Sequence, residues 1–359
     1  MSLKNKVLKK IQKIESYPYL TKNSAELEYF LEYTGSNGYL VIVNQGEFCF
    51  FTDGRYYEAW KKKLPDNTVL LKGGEKPCEQ IYSWVEPLEI EKIYINPSLF
   101  NYKEVLNLRK IFEGIQVKKD EKSVNRIRMY KSEEEIQKVR DAVALTEEGL
   151  AYILPTLKEG MSEREAALEL EYYLRLKGAS ELSFPVIVLF GENSAYPHGE
   201  PGDRQLRRGD VVLIDVGVKL GHYCSDMTRT FVFGNASHEF REVYNYLLKL
   251  QEETLETVRA GINASLLDRQ LRKGLRLKDL EKYYAHSLGH GVGVEVHEEP
   301  AISHLRKKEK LERGMLFTIE PGVYIPEKFG IRIEDMVFID KRGRVEILTQ
   351  FPKELLEVR

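Results

Sequence analysis

Four acidic residues stand inside runs that are otherwise largely apolar: Asp215 in VVLIDVGV, Asp226 in YCSDMTRTFVF, Glu320 in MLFTIEPGVYI and Glu334 in GIRIEDMVFI. The runs read as strands, rich in β-branched and aromatic residues. Carboxylates are almost never fully buried unless paired, so strands that carry four of them either turn them to a solvated face or meet positive charge there. A turn over Lys219, Leu220, Gly221 and His222 would set Asp215 directly across from Asp226. A loop centred on Glu327 would likewise set Glu320 across from Glu334. Facing like charges repel unless one is protonated or a cation lies between them. Two divalent cations account for two facing pairs, because hard oxygen ligands suit such ions and the ions cancel the repulsion. Alternation also puts Arg332 and Glu334 on one strand face, with Ile331 and Ile333 on the other.

Histidine joins the acids in HSLGHGVGVEVHEEP, where His286, His290 and His297 are set among Gly289, Gly291 and Gly293. Glycine lets backbone approach a site closely. Three of the seven histidines fall in this one segment, a concentration that suits a metal ligand with neighbours placed for acid and base work.

With 359 residues the chain exceeds the usual size of one core, and two domains are expected. GYLVIV and EFCFF read as paired strands around Asn44, Gln45 and Gly46, followed by a helix from about Arg55 to Lys63. TVLL, KIYIN and IQVKK continue the alternation, which indicates a small α/β domain over residues 1–122. The polar stretch Lys122 to Lys131 reads as a linker, and the second domain, residues 123–359, combines paired helices with the acid-bearing strands as α+β. Ser132 with Glu135, and Ser162 with Glu165, are capping-box signals that open two helices, the second ending at Gly178.

Lys and Arg total 54 against 56 Asp and Glu, a net charge of -2 that provides no global field for nucleic acid or an anionic membrane. Cys49, Cys78 and Cys224 are an odd number at wide spacing and make neither a disulfide framework nor a zinc ribbon, which fits a reducing compartment. Met1 to Lys13 lacks the apolar core of a signal peptide, and no run approaches a membrane span, so a soluble cytoplasmic protein is expected.

LIDVGVKLGHYCSDMTRTF, HSLGHGVGVEVHEEP, TIEPGVYIP and GIRIEDMV, in that order, resemble successive motifs of the pita-bread metallopeptidases, specifically aminopeptidase P and prolidase. The resemblance covers roughly Ser132 to Ile347, with a weaker match of FTDGRYYEAW in the first domain to the creatinase/prolidase type. It implies metal ligands Asp215, Asp226, His290, Glu320 and Glu334. Asp226 and Glu334 would bridge two divalent ions, Asp215 would serve one, and His290 with Glu320 the other. Manganese is the implied metal, with cobalt and zinc as alternatives.

The resemblance further implies catalytic roles for His198 in YPHGEPGD, His297, Glu320 and Arg332, and substrate contacts for His286 and Tyr223. His198 and His297 would hydrogen-bond the substrate carbonyl or the tetrahedral intermediate. Two ions roughly 3.5 Å apart can share a water and make hydroxide available near neutral pH. Glu320 would act as general base. The implied reaction is hydrolysis of the amino-terminal Xaa-Pro bond of peptides, with a dipeptide-restricted prolidase as the close alternative and a homodimer as a possible assembly. Methionine aminopeptidase, with a similar ligand set, is disfavoured by the full N-terminal domain and EPGVYIP; a non-enzymatic peptide-binding module on this fold would be expected to lose metal ligands.

Overall fold

The structure, a computed structural model, describes residues 3–64 and 69–358. It divides into two compact units, Met1–Arg128 and Met129–Arg359.

In the first unit the described elements run α1 (Leu3–Ile11), β1 (Tyr19–Thr21), α2 (Ser24–Leu31), β2 (Gly38–Ile42), β3 (Phe48–Thr52), α3 (Gly54–Lys61), β4 (Val69–Lys72), α4 (Pro77–Val85), β5 (Lys92–Ile95), α5 (Tyr102–Ile111) and β6 (Gln116–Lys119). Among the described residues the strands form one mixed sheet in the order β4-β3-β2-β1-β5-β6. Val41 pairs with Cys49 across the expected hairpin. The stretch expected to be a linker is instead the helix α6 (Ser123–Met129). Asp120 Oδ1 accepts from the amides of Lys122 and Ser123 at 3.1 and 2.9 Å, caring for the donors at the helix start, and Val124 and Ile127 are buried one turn apart. That apolar pair is too short a signal to stand out between charged neighbours. The first compact unit accordingly runs on to Arg128, past the boundary expected at residue 122.

The second unit opens with α7 (Glu133–Ile153) and α8 (Glu163–Leu176), and both expected capping boxes are present. Ile136, Val139, Val143 and Leu150 are buried on one face of α7. Gly178 lies just beyond α8 with φ 115°. There follow β7 (Glu181–Leu182), β8 (Ile187–Phe190), β9 (Val211–Val216), β10 (Val218–Leu220), β11 (Tyr223–Cys224) and β12 (Met227–Phe233). Two helices, α9 (His238–Thr257) and α10 (Ala264–Arg276), separate these from β13 (Gly289–Gly291), β14 (Glu298–Ile302), β15 (Leu316–Ile319), β16 (Gly322–Ile325), β17 (Phe329–Arg332), β18 (Asp335–Ile339), β19 (Val345–Ile347) and β20 (Glu357–Val358). The main sheets are ordered β20-β12-β9-β8 and β14-β13-β15-β18-β19. One core lies beneath α9 and α10 and takes in Leu247, Leu267, Phe317 and Val337; another lies beneath α7 and α8 and takes in Leu150, Leu170, Ile214 and Phe231.

The two acid-bearing hairpins differ from each other in register. Ile319 pairs with Asp335 and Gly322 with Arg332, so Glu320 and Glu334 fall opposite each other around Glu327, as expected. In the other hairpin Thr228, not Asp226, lies opposite Asp215. The cause is the turn: Leu220 pairs with Tyr223, while Gly221 and His222 take φ of 56° and 74°. Positive φ at both central residues is the geometry of a tight primed turn, and it places Gly221 first, one residue later than expected. The register therefore shifts by two, and a shift of two keeps every side chain on its face. Asp226 remains beside Asp215 as a diagonal neighbour.

The described thiols form no disulfide, and no described helix is long and apolar enough to cross a membrane. Ser132→Ala removes the side-chain cap of α7 and is expected to lower stability by about 1 kcal/mol. Urea denaturation followed by circular dichroism checks this; a loss below roughly 0.3 kcal/mol would show that tertiary packing alone secures the helix start.

Candidate metal centre

Asp215 reaches the site from β9, between Ile187 of β8 and Thr228 of β12. Asp226 immediately precedes β12. The adjacent Ser225 holds it in place, because its hydroxyl bonds Thr146 of α7 at 2.7 Å and accepts from the Val218 amide at 2.9 Å. Glu320 follows β15, and Glu334 sits between β17 and β18. His290 lies in β13 between glycines that the fold requires: a Cβ on Gly289 would stand 2.0 Å from the Thr318 carbonyl oxygen, and one on Gly291 2.2 Å from that of Glu299.

These five residues line one cavity of about 440 Å³, together with His198, His286, His297 and Arg332. Ligand atoms of Asp226, His290 and Glu334 lie within 4.8 Å of one another. His290 Nε2 is 3.5 Å from Asp226 Oδ2 and 3.4 Å from Glu320 Oε1. Its Nδ1 is 3.1 Å from the Gly291 carbonyl oxygen, so that nitrogen carries the hydrogen and the Nε2 lone pair faces the carboxylates. Burial, assisted by His297, lowers the His290 pKa to about 4, which keeps the ring neutral and able to ligate.

The acids show the strain of their proximity. Burial, then repulsion from Glu334, Asp215 and Glu320, pushes Asp226 well above the usual carboxylate range. Glu334 is raised likewise by burial and by Glu320 and Asp215. Glu320 is pushed up to about 8, chiefly by burial, with Arg332 opposing and Asp215 adding to the shift. Asp215 Oδ2 accepts from Arg332 Nη2 at 2.5 Å, but its buried Oδ1 has no hydrogen-bond partner. An orphaned carboxylate oxygen, three acids forced toward neutrality and an imidazole lone pair in one cavity are the donor set a divalent cation satisfies. The residues fit the metal.

Around the acids a chain of donors has one consistent direction. Arg332 donates from Nε to Thr228 Oγ1 at 2.9 Å, and from Nη1 to Tyr324 OH at 2.7 Å. Thr228 donates to Glu334 Oε2 at 2.8 Å. Tyr324 OH is 2.9 Å from His286 Nε2, whose ring holds the Ser287 carbonyl oxygen with Nδ1 at 2.7 Å. Burial first, then Arg332, lowers His286 to about 4. His297, exposed at the cavity, has its ring 4.3 Å from that of His290, and partial desolvation lowers its pKa. His198 is exposed on the cavity wall.

Tyr223 is not brought to this cavity. It is buried and donates to Glu135 Oε1 at 2.6 Å, tying β11 to the start of α7. A different tyrosine, Tyr324, stands beside His286 and Arg332. Its signal in the sequence was present but indirect: it stands two residues beyond Gly322, and the hairpin register turns its ring back toward Arg332.

Residues 137–341 match Metallopeptidase family M24, and residues 5–130 match the Creatinase/Prolidase N-terminal domain. The chain belongs to metallopeptidase family M24. This M24 enzyme is 35% identical to the Xaa-Pro dipeptidase of Pyrococcus furiosus over 91% of its own length and 92% of that protein's. The crystal structure of an X-Pro aminopeptidase from Thermotoga maritima superposes with a TM-score of 0.87 at 34% identity, covering 95% of this chain and 97% of that one. A Xaa-Pro dipeptidase from Bacillus anthracis superposes with a TM-score of 0.91 at 30% identity, covering 98% and 100%. The fold of the M24 enzyme is therefore the pita-bread catalytic domain preceded by the creatinase-type domain, and a divalent metal belongs to its site.

Proton linkage follows from the acids. In the metal-free enzyme Glu320 holds its proton below a pH of about 8, and an incoming cation must displace it. Apparent metal affinity should therefore rise between about pH 6 and pH 8, and binding at about pH 7 should release protons. Calorimetric titration of metal-free protein in two buffers of different ionisation enthalpy measures that release; a pH-independent affinity over the interval would contradict it.

Proposed function

We propose that this enzyme is an exopeptidase that hydrolyses the Xaa-Pro bond at the amino end of small peptides, acting as an Xaa-Pro aminopeptidase. The observation that carries the reading is the meeting of three buried carboxylates, the partly buried Glu320 and a neutral histidine with Arg332, His198 and His297 in one cavity. Asp215, Asp226, His290, Glu320 and Glu334 would hold two divalent ions. An oxygen-rich set with one imidazole favours manganese. The ions, when bound, supply Lewis acidity that polarises a carbonyl and lowers the pKa of water at the site toward 7.

The protein side chains do the remainder. Glu320 takes a proton from the attacking water and delivers it to the proline nitrogen as the bond breaks. An amine leaves only once its nitrogen is protonated, so this transfer is needed for the bond to break. His297 and His198 donate hydrogen bonds to the oxygen on which negative charge develops. Depression of the His297 pKa does not prevent this, since a neutral imidazole still carries one N–H. Arg332 holds Asp215 and Tyr324 in place, while the His286 ring, engaged at both nitrogens, forms part of the wall. Phe184, Val186 and Ile187 give the cavity an apolar side suited to a pyrrolidine ring.

The relatives named as dipeptidases support a second reading, restriction to Xaa-Pro dipeptides. Metal-loaded enzyme assayed on Gly-Pro and on a Gly-Pro-Xaa tripeptide separates the two. Release of glycine from the tripeptide is expected; cleavage of the dipeptide alone would establish the second reading, and cleavage of neither would overturn both. We place the enzyme in the cytoplasm, consistent with three thiols that form no disulfide among the described residues.

The two neighbouring histidines should part company on mutation. His297→Ala is expected to lower kcat by roughly 10² to 10³ with metal content unchanged. His290→Ala should lose metal affinity as well as rate. Metal stoichiometry measured beside steady-state kinetics checks both, and metal loss in His297→Ala would mean that the roles are reversed.

A further inference from the structure

His198 lies on the exposed cavity wall and makes no hydrogen bond of its own among the described residues, so its place depends on the loop that carries it. That loop leaves the end of β8 at Phe190, passes through a short helical turn at Gly191–Ala195 and returns past Gly202 toward β9. Three groups from its two ends converge on one carboxylate. Glu163, the first residue of α8, is fully buried. Its Oε1 accepts from the Phe190 amide at 2.8 Å and from Asn193 Nδ2 at 3.0 Å, and its Oε2 accepts from the Gly202 amide at 3.0 Å. The main chain doubles the clasp, with the Arg164 amide donating to the Gly202 carbonyl at 3.0 Å. A second anchor reaches the same loop from the active site, where Arg332 Nη1 donates to the carbonyl oxygen of Pro197, the residue before His198, at 3.2 Å.

We infer that Glu163 is a positioning residue for catalysis, which sets His198 over the substrate by clasping both ends of its loop. The inference rests on the reading of His198 as a hydrogen-bond donor to the substrate. All three side-chain partners of Glu163 are donors, so the clasp needs a group that only accepts. A carboxylate is such a group; an amide of the same shape is not, because its NH₂ would face either the Gly202 amide or the Phe190 and Asn193 donors. Glu163→Gln should therefore release one end of the loop while leaving the volume of the side chain unchanged. Asn193→Ala removes one donor and leaves the buried carboxylate intact, a milder route to the same loosening.

The test is a double-mutant cycle of Glu163→Gln with His198→Ala, repeated with Asn193→Ala in place of Glu163→Gln. It is run on metal-loaded enzyme with an Xaa-Pro peptide and metal content is measured for every variant. Glu163→Gln is expected to lower kcat/KM about tenfold, mostly through kcat, with metal stoichiometry retained. In the His198→Ala background it should cost less than about twofold, because the loop then has nothing to position. Asn193→Ala should show the same pattern at smaller size, and it carries the test if Glu163→Gln does not fold. Equal losses in both backgrounds, or loss of metal in Glu163→Gln, would reduce Glu163 to a structural role and overturn the inference while leaving the proposed function standing. Unchanged kinetics in His198→Ala itself would overturn the reading of His198, and the inference with it.

Discussion

Repulsion among buried carboxylates governs the catalytic unit. Asp215, Asp226, Glu320 and Glu334 are held around one cavity at distances where they cannot all be charged without a cation. Arg332 compensates part of this charge through Asp215. The remainder is stored as raised pKa values, a cost the fold bears in order to bind metal. Such a cluster needs a rigid frame, and the frame is two strand pairs, β9 with β12 and β15 with β18, each backed by its own apolar core. Behind Glu334, the buried Asp335 accepts from Arg229 at 2.9 Å, Lys353 at 2.9 Å and Gln251 at 2.7 Å, so the residue next to Glu334 is itself fully compensated.

The histidines divide the remaining work by how their second nitrogen is engaged. In His290 one nitrogen is committed to the Gly291 carbonyl, which leaves the other bare toward the acids. In His286 both nitrogens are committed, to Ser287 and Tyr324. His297 stands against His290, while His198 makes no ring contact with it and depends on its loop; both are exposed. One residue type thus takes distinct tasks because the surrounding hydrogen bonds differ, a distinction that composition cannot carry.

Local rules proved sufficient wherever a feature depended on near neighbours in the chain. Ser132 with Glu135, and Ser162 with Glu165, form their capping boxes because the partners are three residues apart. The Glu320 and Glu334 pair was legible because the loop between them closes about Glu327 without a bulge. The Asp215 and Asp226 pairing was read one turn position early, yet the face was right, since only an odd slip exchanges faces. α6 was missed because Val124 and Ile127 are a single apolar turn among charges, and the cap that starts it comes from Asp120, outside the stretch itself.

The sequence by itself determined that four acids lie in or beside strands and which strand faces carry them, because alternation and turn chemistry act over a few residues. Tertiary structure alone decided which of those groups meet. Tyr223 and Tyr324 are alike as residues, but one is drawn to Glu135 on α7 and the other to Arg332 across a hairpin. Likewise nothing near Glu163 in the chain connects it to the loop of His198; the contact exists because α8 packs beside β8, where three donors need an acceptor. Hydrogen bonds between groups distant in sequence are satisfied only when the elements that carry them have packed, so these roles are properties of the folded chain.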